Sequence, residues 1–378
     1  MNFTVKTDNL EKALDMANII VPRKSPLLAL EGIKIEAQSS KVIISTTDLE
    51  SEYICSIDCE VFQEGETVVP LKPLQQLISK IDYPELSFQL KDSRLTINSL
   101  GFSAELATID ISEYPELTLS STKLQKIMEI DSETLDEAID SVIYSSSYPD
   151  ESNPIFAGVL FEITKKDMKL VATDGSQLAL RKINQPSNNE SKLILPVKSL
   201  KTIQKNIKGL IEILLDNPEN PKIACFKSQT DFGQVKVSSK LIDGNFPEYK
   251  EVIPTNFEID ILLSRKVLLD AIKRILVLSK SKELSGIVIF EITKNKMIVK
   301  SIESELGKAK EEIPLKKKTG KDLIIHFNGK FIETMLTNIS EQEIQISFID
   351  DSSPMKVTFP ETDDFLYLLM PVRIAATV

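Results

Sequence analysis

Apolar residues fall at i, i+3, i+4 and i+7 in three separate stretches, "LEKALDMANII" from Leu10, "LDEAIDSVIYS" from Leu135 and "LLDAIKRILVL" from Leu268. That spacing predicts three amphipathic helices, each with one buried face. A loop, a strand led by Gly and a second strand follow each of them: "EGIKIEAQSSKVIISTTD", "AGVLFEITKKDMKLVATD" and "SGIVIFEITKNKMIVKSI", with Gly32, Gly158 and Gly286 opening the hairpins. Two of these hairpins are nearly the same text, since "FEIT" at Phe161 returns at Phe290, 129 positions later, with the apolar spacing kept and the surface letters changed. A strand–helix step also recurs. "VVPLKPLQQLISKI" ends at Ile81 and "ILPVKSLKTIQKNI" at Ile207, placing Pro70 and Pro196 126 positions apart; "IIHFNGKFIETMLTNI" ends at Ile339 with Asn328 in the place of proline. Each third closes on alternating segments, "ELSFQLKDSRLTI", "KIACFKSQTDFGQVKVSSKLI" and "EIQISFIDDSSPMKVTF", whose period of two predicts half-buried antiparallel strands.

A repeat of this length exceeds the roughly 20–50 residues of a solenoid unit, so each copy is expected to be a domain. The joints fall in "EYPELTLSSTKLQKI" and "NFPEYKEVIPTNFEI", which carry Pro and turn formers and no periodic apolar pattern. The expectation is an α+β chain of three repeated domains, 1–121, 122–251 and 252–378, each with two helices packed on antiparallel sheets.

Composition adds bounds. The chain has 378 residues, 42% of them apolar, enough for a core in every domain. Its apolar runs are only a few residues long, against the roughly 18 needed to cross a bilayer. The opening "MNFTVKTDNLEKAL" has neither an apolar signal core nor a small-residue cleavage site, so a cytoplasmic protein without membrane association is expected. Three cysteines, Cys55, Cys59 and Cys225, make an odd count and point to reduced surroundings; in "YICSIDCEV" the first two fall on one face of a strand and read as buried thiols.

Catalytic chemistry finds little footing. One histidine, His326, leaves no second imidazole for a metal and no spare base for a nucleophile. With 12 glycines the chain contains neither GxxxxGK[ST] nor GxGxxG. Asp48 and Asp174 hold matching places in the first two copies, and a carboxylate that recurs at a strand end reads as a turn or cap residue. Asp136 and Asp140 lie one helical turn apart, as on a solvated face.

A formal charge of −11 argues against a nucleic-acid partner until the basic residues are located. "PVKSLKTIQKNIK" carries Lys198, Lys201, Lys205 and Lys208 without an acid, and "SRKVLLDAIKRILVLSKSK" carries Arg265, Lys266, Lys273, Arg274, Lys280 and Lys282 against Asp270 alone. These helices lack Tyr, Phe and Trp for base stacking, and no base-reading motif occurs, so contact with nucleic acid is expected at phosphates only, indifferent to sequence.

Taken in order, "MNFTVKTDNLEKAL", "GVLFEI…LVATDGSQLALRK", "KLIDGNFPEYKEVIP" and "YLLMPVRI" resemble the signatures of the bacterial DNA sliding clamps, the β subunits of DNA polymerase III, over essentially the whole chain. The resemblance implies a head-to-tail homodimeric ring of six domains, helices around a hole and sheets outside. Such a ring is a non-catalytic processivity factor with no cofactor and no metal. Its implied partners are encircled double-stranded DNA, the polymerase III catalytic subunit, the clamp loader and other proteins bearing a clamp-binding peptide. DNA-binding candidates are Lys24, Lys198, Lys201, Lys205, Arg265, Lys273 and Arg274, Lys24 by its match to a DNA-touching arginine of the family.

The tail "DDFLYLLMPVRIAATV" is apolar on both faces, more than an open edge strand carries without a cover. By resemblance it forms one wall of a peptide groove with Leu368, Met370, Pro371 and Arg373, opposite Phe156, Thr173, Gly175, Leu178, Pro247 and Val252. Ser176 and Gln177 stand where the family often has His and Arg, which bears on motif preference. Leu106 on one side and Val277 with Leu278 on the other are the dimer-interface candidates. Two departures concern DNA: the helix from Asp131 to Asp140 has five acids and no base, and "YPDESNPIF" has no basic residue. Besides the clamp, two readings stand: a peptide-binding adaptor of the same fold that never encloses DNA, and an enzyme using Asp48 or Asp174.

Overall fold

The computed structural model describes residues 1–22, 24–147, 153–279, 286–303 and 307–373. Lys280, Lys282, the first five residues of "YPDESNPIF" and the tail beyond Arg373 lie outside the described residues. The chain forms two compact units, one of residues 1–136 with 186–242 and the other of residues 137–185 with 243–378.

Among the described residues there are seven α-helices: α1 Thr7–Ala17, α2 Leu71–Ile78, α3 Thr118–Ser121, α4 Ser132–Asp140, α5 Val197–Asn206, α6 Arg265–Leu278 and α7 Gly329–Asn338. Six are the two helices expected in each copy. The apolar spacing sets their buried faces: Leu10, Ala13, Leu14 and Ala17 in α1, and Leu268, Ala271, Ile272 and Ile275 in α6. Starts of the second helices differ chemically. Pro70 and Pro196 precede α2 and α5 with φ of −58° and −57°, which the ring imposes, whereas Asn328 caps α7 by accepting from Lys330 N at 3.0 Å. The short α3 was not foreseen. It sits in the first joint, where both oxygens of the buried Glu52 carboxylate accept from Leu119 N (3.0 Å) and Ser120 N (2.8 Å).

In the first unit an eight-stranded antiparallel sheet runs Gln125–Asp131, Leu210–Leu215, Ile223–Gln229, Gln234–Lys240, Ser51–Asp58, Lys41–Thr47, Gly32–Gln38, Gly65–Pro70. A five-stranded sheet runs Glu60–Gln63, Asn2–Lys6, Glu85–Lys91, Arg94–Ser99, Phe102–Ala107, leaving the last as an edge. Phe3 and Phe88 stack at 4.8 Å between ring centroids in its core. The second unit repeats the plan. Its strands Gly158–Ile163, Met168–Thr173, Gln177–Ile183, Phe365–Leu369, Met355–Thr358, Glu343–Phe348, Ile259–Ser264 and Lys317–Thr319 follow in that order in one sheet. A four-stranded sheet runs Lys310–Pro314, Lys296–Ser301, Ile287–Ile292, Leu323–Asn328.

Two junctions follow one rule. Ser51–Asp58, which follows the first copy's Asp turn, pairs with Gln234–Lys240, the last strand of the second copy, with Tyr53 opposite Val237. Gln177–Ile183, the equivalent strand of the second copy, pairs with Phe365–Leu369, the last strand of the third, with Ala179 opposite Tyr367. The tail strand is therefore no edge: Met355–Thr358 covers its other side, which accounts for its apolar residues on both faces. Cys55 and Cys225 are buried as expected, and burial pushes the Cys55 thiol up to about 12; Cys59 falls just past its strand and is half-buried.

Candidate functional site

The groove begins with a turn used twice. At "ATDGSQ" the Asp174 carboxylate accepts from Ser176 N (2.8 Å) and Gln177 N (2.9 Å), and Thr173 Oγ1 donates to Gln177 O (2.7 Å). At "TTDLES" Asp48 and Thr47 do the same for Glu50, Ser51 and the Ser51 carbonyl. Both aspartates are thus turn residues, as their recurrence implied. The turn needs a left-handed third residue, and Gly175 supplies it with φ +88°.

This turn and the 3₁₀ turn Tyr249–Val252 face an apolar cavity of about 220 Å³ in the second unit. Of the residues expected there, Phe156, Thr173, Gly175, Leu178, Pro247, Val252, Leu368 and Met370 line it. Pro371 and Arg373 do not, and Arg373 is exposed. Leu178 and Leu368 face each other across the strand pair and are buried, whereas Val252 and Met370 leave 59% and 47% of their surface to solvent, so apolar area stands open at the mouth. Met370 N donates to Ser176 O at 2.9 Å, which holds the tail against the turn, and Val372 N donates to His326 O at 2.9 Å, which ties it to the strand Leu323–Asn328.

Sequence reasoning missed three lining residues, Glu248, Tyr249 and Pro354. Tyr249 is buried and donates to Glu162 Oε2 at 2.7 Å; burial, with the Glu162 carboxylate, raises its phenol pKa. Its place beside Pro247 in "NFPEYKEV" was the available signal. Gln177 is no rim residue: only 5% exposed, it donates from Nε2 to Asp174 Oδ2 (2.9 Å) and Tyr144 O (3.4 Å) and accepts from Tyr367 OH at Oε1 (2.8 Å).

The basic candidates separate by what they already hold. In α6, Arg265 donates to Leu336 O (2.6 Å) and Glu341 O (2.7 Å), so its guanidinium closes the C-terminal end of α7. Arg274 makes a two-point pair with Glu311 on the edge strand Lys310–Pro314, at 2.5 and 2.8 Å, which raises its own pKa and lowers that of the carboxyl. Lys198 pairs with Asp48, and Lys208 with Asp136 of the acidic helix α4 at 2.8 Å. Lys24, Lys201, Lys205 and Lys273 are exposed and have no ion-pair partner among the described residues. Leu106 lies half-buried on the edge strand Phe102–Ala107. Val277 is 61% exposed and Leu278 half-buried at the end of α6, the helix that packs on Lys310–Pro314.

Three like-built α+β copies, joined strand to strand, with an apolar groove at one junction, define the class: a repeat-built clamp fold. Family descriptions match almost throughout: "DNA polymerase III beta subunit" N-terminal domain over residues 1–118, central domain over 129–248 and C-terminal domain over 250–373. The chain belongs to the DNA polymerase III beta subunit family. It is 27% identical over 388 residues to the beta sliding clamp of Halalkalibacterium halodurans, covering 99% of this chain and 100% of that one. A crystal structure of the DNA polymerase III beta subunit from Thermotoga maritima superposes with TM-score 0.87 at 29% identity, covering 99% of this chain and 100% of that one. The DNA polymerase sliding clamp from Bacillus subtilis gives TM-score 0.91 at 24% identity, with the same coverage.

Proposed function

We propose that this protein is a DNA sliding clamp: a non-catalytic processivity factor that encircles duplex DNA as a head-to-tail homodimer and tethers the replicative polymerase and other partners through its groove. The observation that carries this is the junction rule. Each copy's last strand pairs with the post-turn strand of the copy before it, and two strands are left over, Phe102–Ala107 from the first copy and Lys310–Pro314 from the third. Applied once more between chains, the rule joins these two edges. A head-to-tail contact whose rotation closes makes a ring, and two chains of three copies make six units. Leu106 on one edge, with Val277 and Leu278 beside the other, supplies the apolar area for that contact. The copies divide as domains 1–121, 122–251 and 252–378, in keeping with the three family matches.

Duplex is held by enclosure. Lys24, Lys201, Lys205 and Lys273 have charge to offer phosphates, with Lys198 sharing its own with Asp48, while Arg265 and Arg274 have intramolecular work. Phosphate contacts that ignore sequence bind weakly, on the order of 10⁻⁴ to 10⁻⁶ M at physiological salt, which permits sliding. The groove takes an extended peptide with a Leu or Phe anchor, and Met370 adapts to the side chain it meets. The test is particle mass in solution. A dimer that Leu106→Arg converts to folded monomers supports the assembly; a wild-type chain monomeric at all concentrations rejects it.

A further inference from the structure

The groove has a charge character that its apolar lining hides. Among the described residues Glu248 is the single charged side chain lining it, and it is exposed at the mouth. The backbone donors of the turn and the tail are already engaged. Ser176 N and Gln177 N point at Asp174 Oδ1, Gly175 N at Thr173 Oγ1 (3.1 Å) and Met370 N at Ser176 O (2.9 Å). The Gln177 amide gives its protons to Asp174 and the Tyr144 carbonyl. Of the cations close in sequence or pairing, Lys250 is held by Glu162 Oε1 at 3.2 Å over the Tyr249 ring, Arg181 by Asp364 at 3.2 Å, and Lys356, opposite Leu368, lies over the Phe257 ring at 4.0 Å, while Arg373 is exposed and does not line the groove. A ligand carboxylate entering here loses water and meets, among the lining side chains, the Ser176 hydroxyl and the like charge of Glu248; an ammonium or guanidinium meets Glu248 as a counter-charge.

We infer that Glu248 makes the groove select by charge: it favours a peptide whose apolar anchor is flanked by a cationic residue and disfavours one flanked by an acid. This rests on the groove being a peptide site, and it adds which peptides that site accepts.

The experiment is calorimetric titration of the full-length protein with three capped extended peptides that share a Leu-Phe anchor and carry Lys, Ser or Glu just before it. Lys should bind more tightly than Glu by about five- to tenfold at low salt, with Ser between them, a gap in keeping with a partly exposed charge pair. Added salt should narrow the gap, and Glu248→Gln should remove it. Equal binding of the Lys and Glu peptides to the wild type overturns the inference and leaves the groove standing. A gap that survives Glu248→Gln overturns the assignment to that residue. No binding of any peptide overturns the groove itself, and the charge selection with it.

Discussion

Position 49 shows how one residue can depart from its repeat. Leu49 occupies the place of Gly175 in the twin turn and has φ +74°. An L side chain in that region costs about 1–2 kcal/mol, and Leu49 is 48% exposed, so burial does not offset the strain. Leu49→Gly is expected to raise stability by about 1 kcal/mol in chemical denaturation, less some backbone entropy, whereas Gly175→Leu should lower it. The turn aspartates were legible from their recurrence, since only a local backbone role explains a carboxylate repeated with its strand. The buried Gln177 bonds were not. Their partners, Tyr144 and Tyr367, are remote in sequence, and the pleat that faces them together depends on strand register. Leu178 and Met370 were placed in the groove by resemblance, and the cavity holds both. Truncating the two together to alanine should weaken a Leu-Phe peptide by at least about 1–2 kcal/mol in calorimetry. Unchanged affinity in the folded double variant would put the site elsewhere.

Among elements, α6 departs most from its sequence reading. The basic run in "SRKVLLDAIKRIL" suggested a cationic face, yet its two arginines serve the fold, Arg265 at the end of α7 and Arg274 on the edge strand. Nothing local in the run distinguishes a guanidinium that bonds carbonyls from one that waits for phosphate; the acceptors come from residues 311, 336 and 341. Arg265→Met keeps the aliphatic stem and removes both bonds. It should destabilise the protein by about 2–3 kcal/mol, the range for hydrogen bonds to a charged group. Retention on DNA at a temperature where the variant is folded should be unchanged, and a large loss there would return Arg265 to the DNA face. Helix positions were otherwise readable from the apolar period, because it fixes which face packs. The exception is α3, four residues long and held by Glu52 from a distant strand.

At the scale of the whole molecule, the threefold text carried the architecture. Similar apolar spacing builds similar units, and the same strands serve as joints each time. What the text did not reveal is which strands join, since pairing depends on edges left open after folding. The tail strand, whose composition demanded a cover, came nearest to announcing its neighbours. Within a net charge of −11, many acids hold lysines and arginines in place, and Lys24, Lys201, Lys205 and Lys273 are among the exposed lysines without such a partner.

Enclosure without grip is the central claim, and retention on DNA of two topologies tests it most directly. After loading, the protein should stay on nicked circular duplex through gel filtration at raised salt and be lost once the circle is cut. Equal retention on circular and linear DNA, weakening in step with salt, would contradict the account and leave electrostatic adhesion in its place.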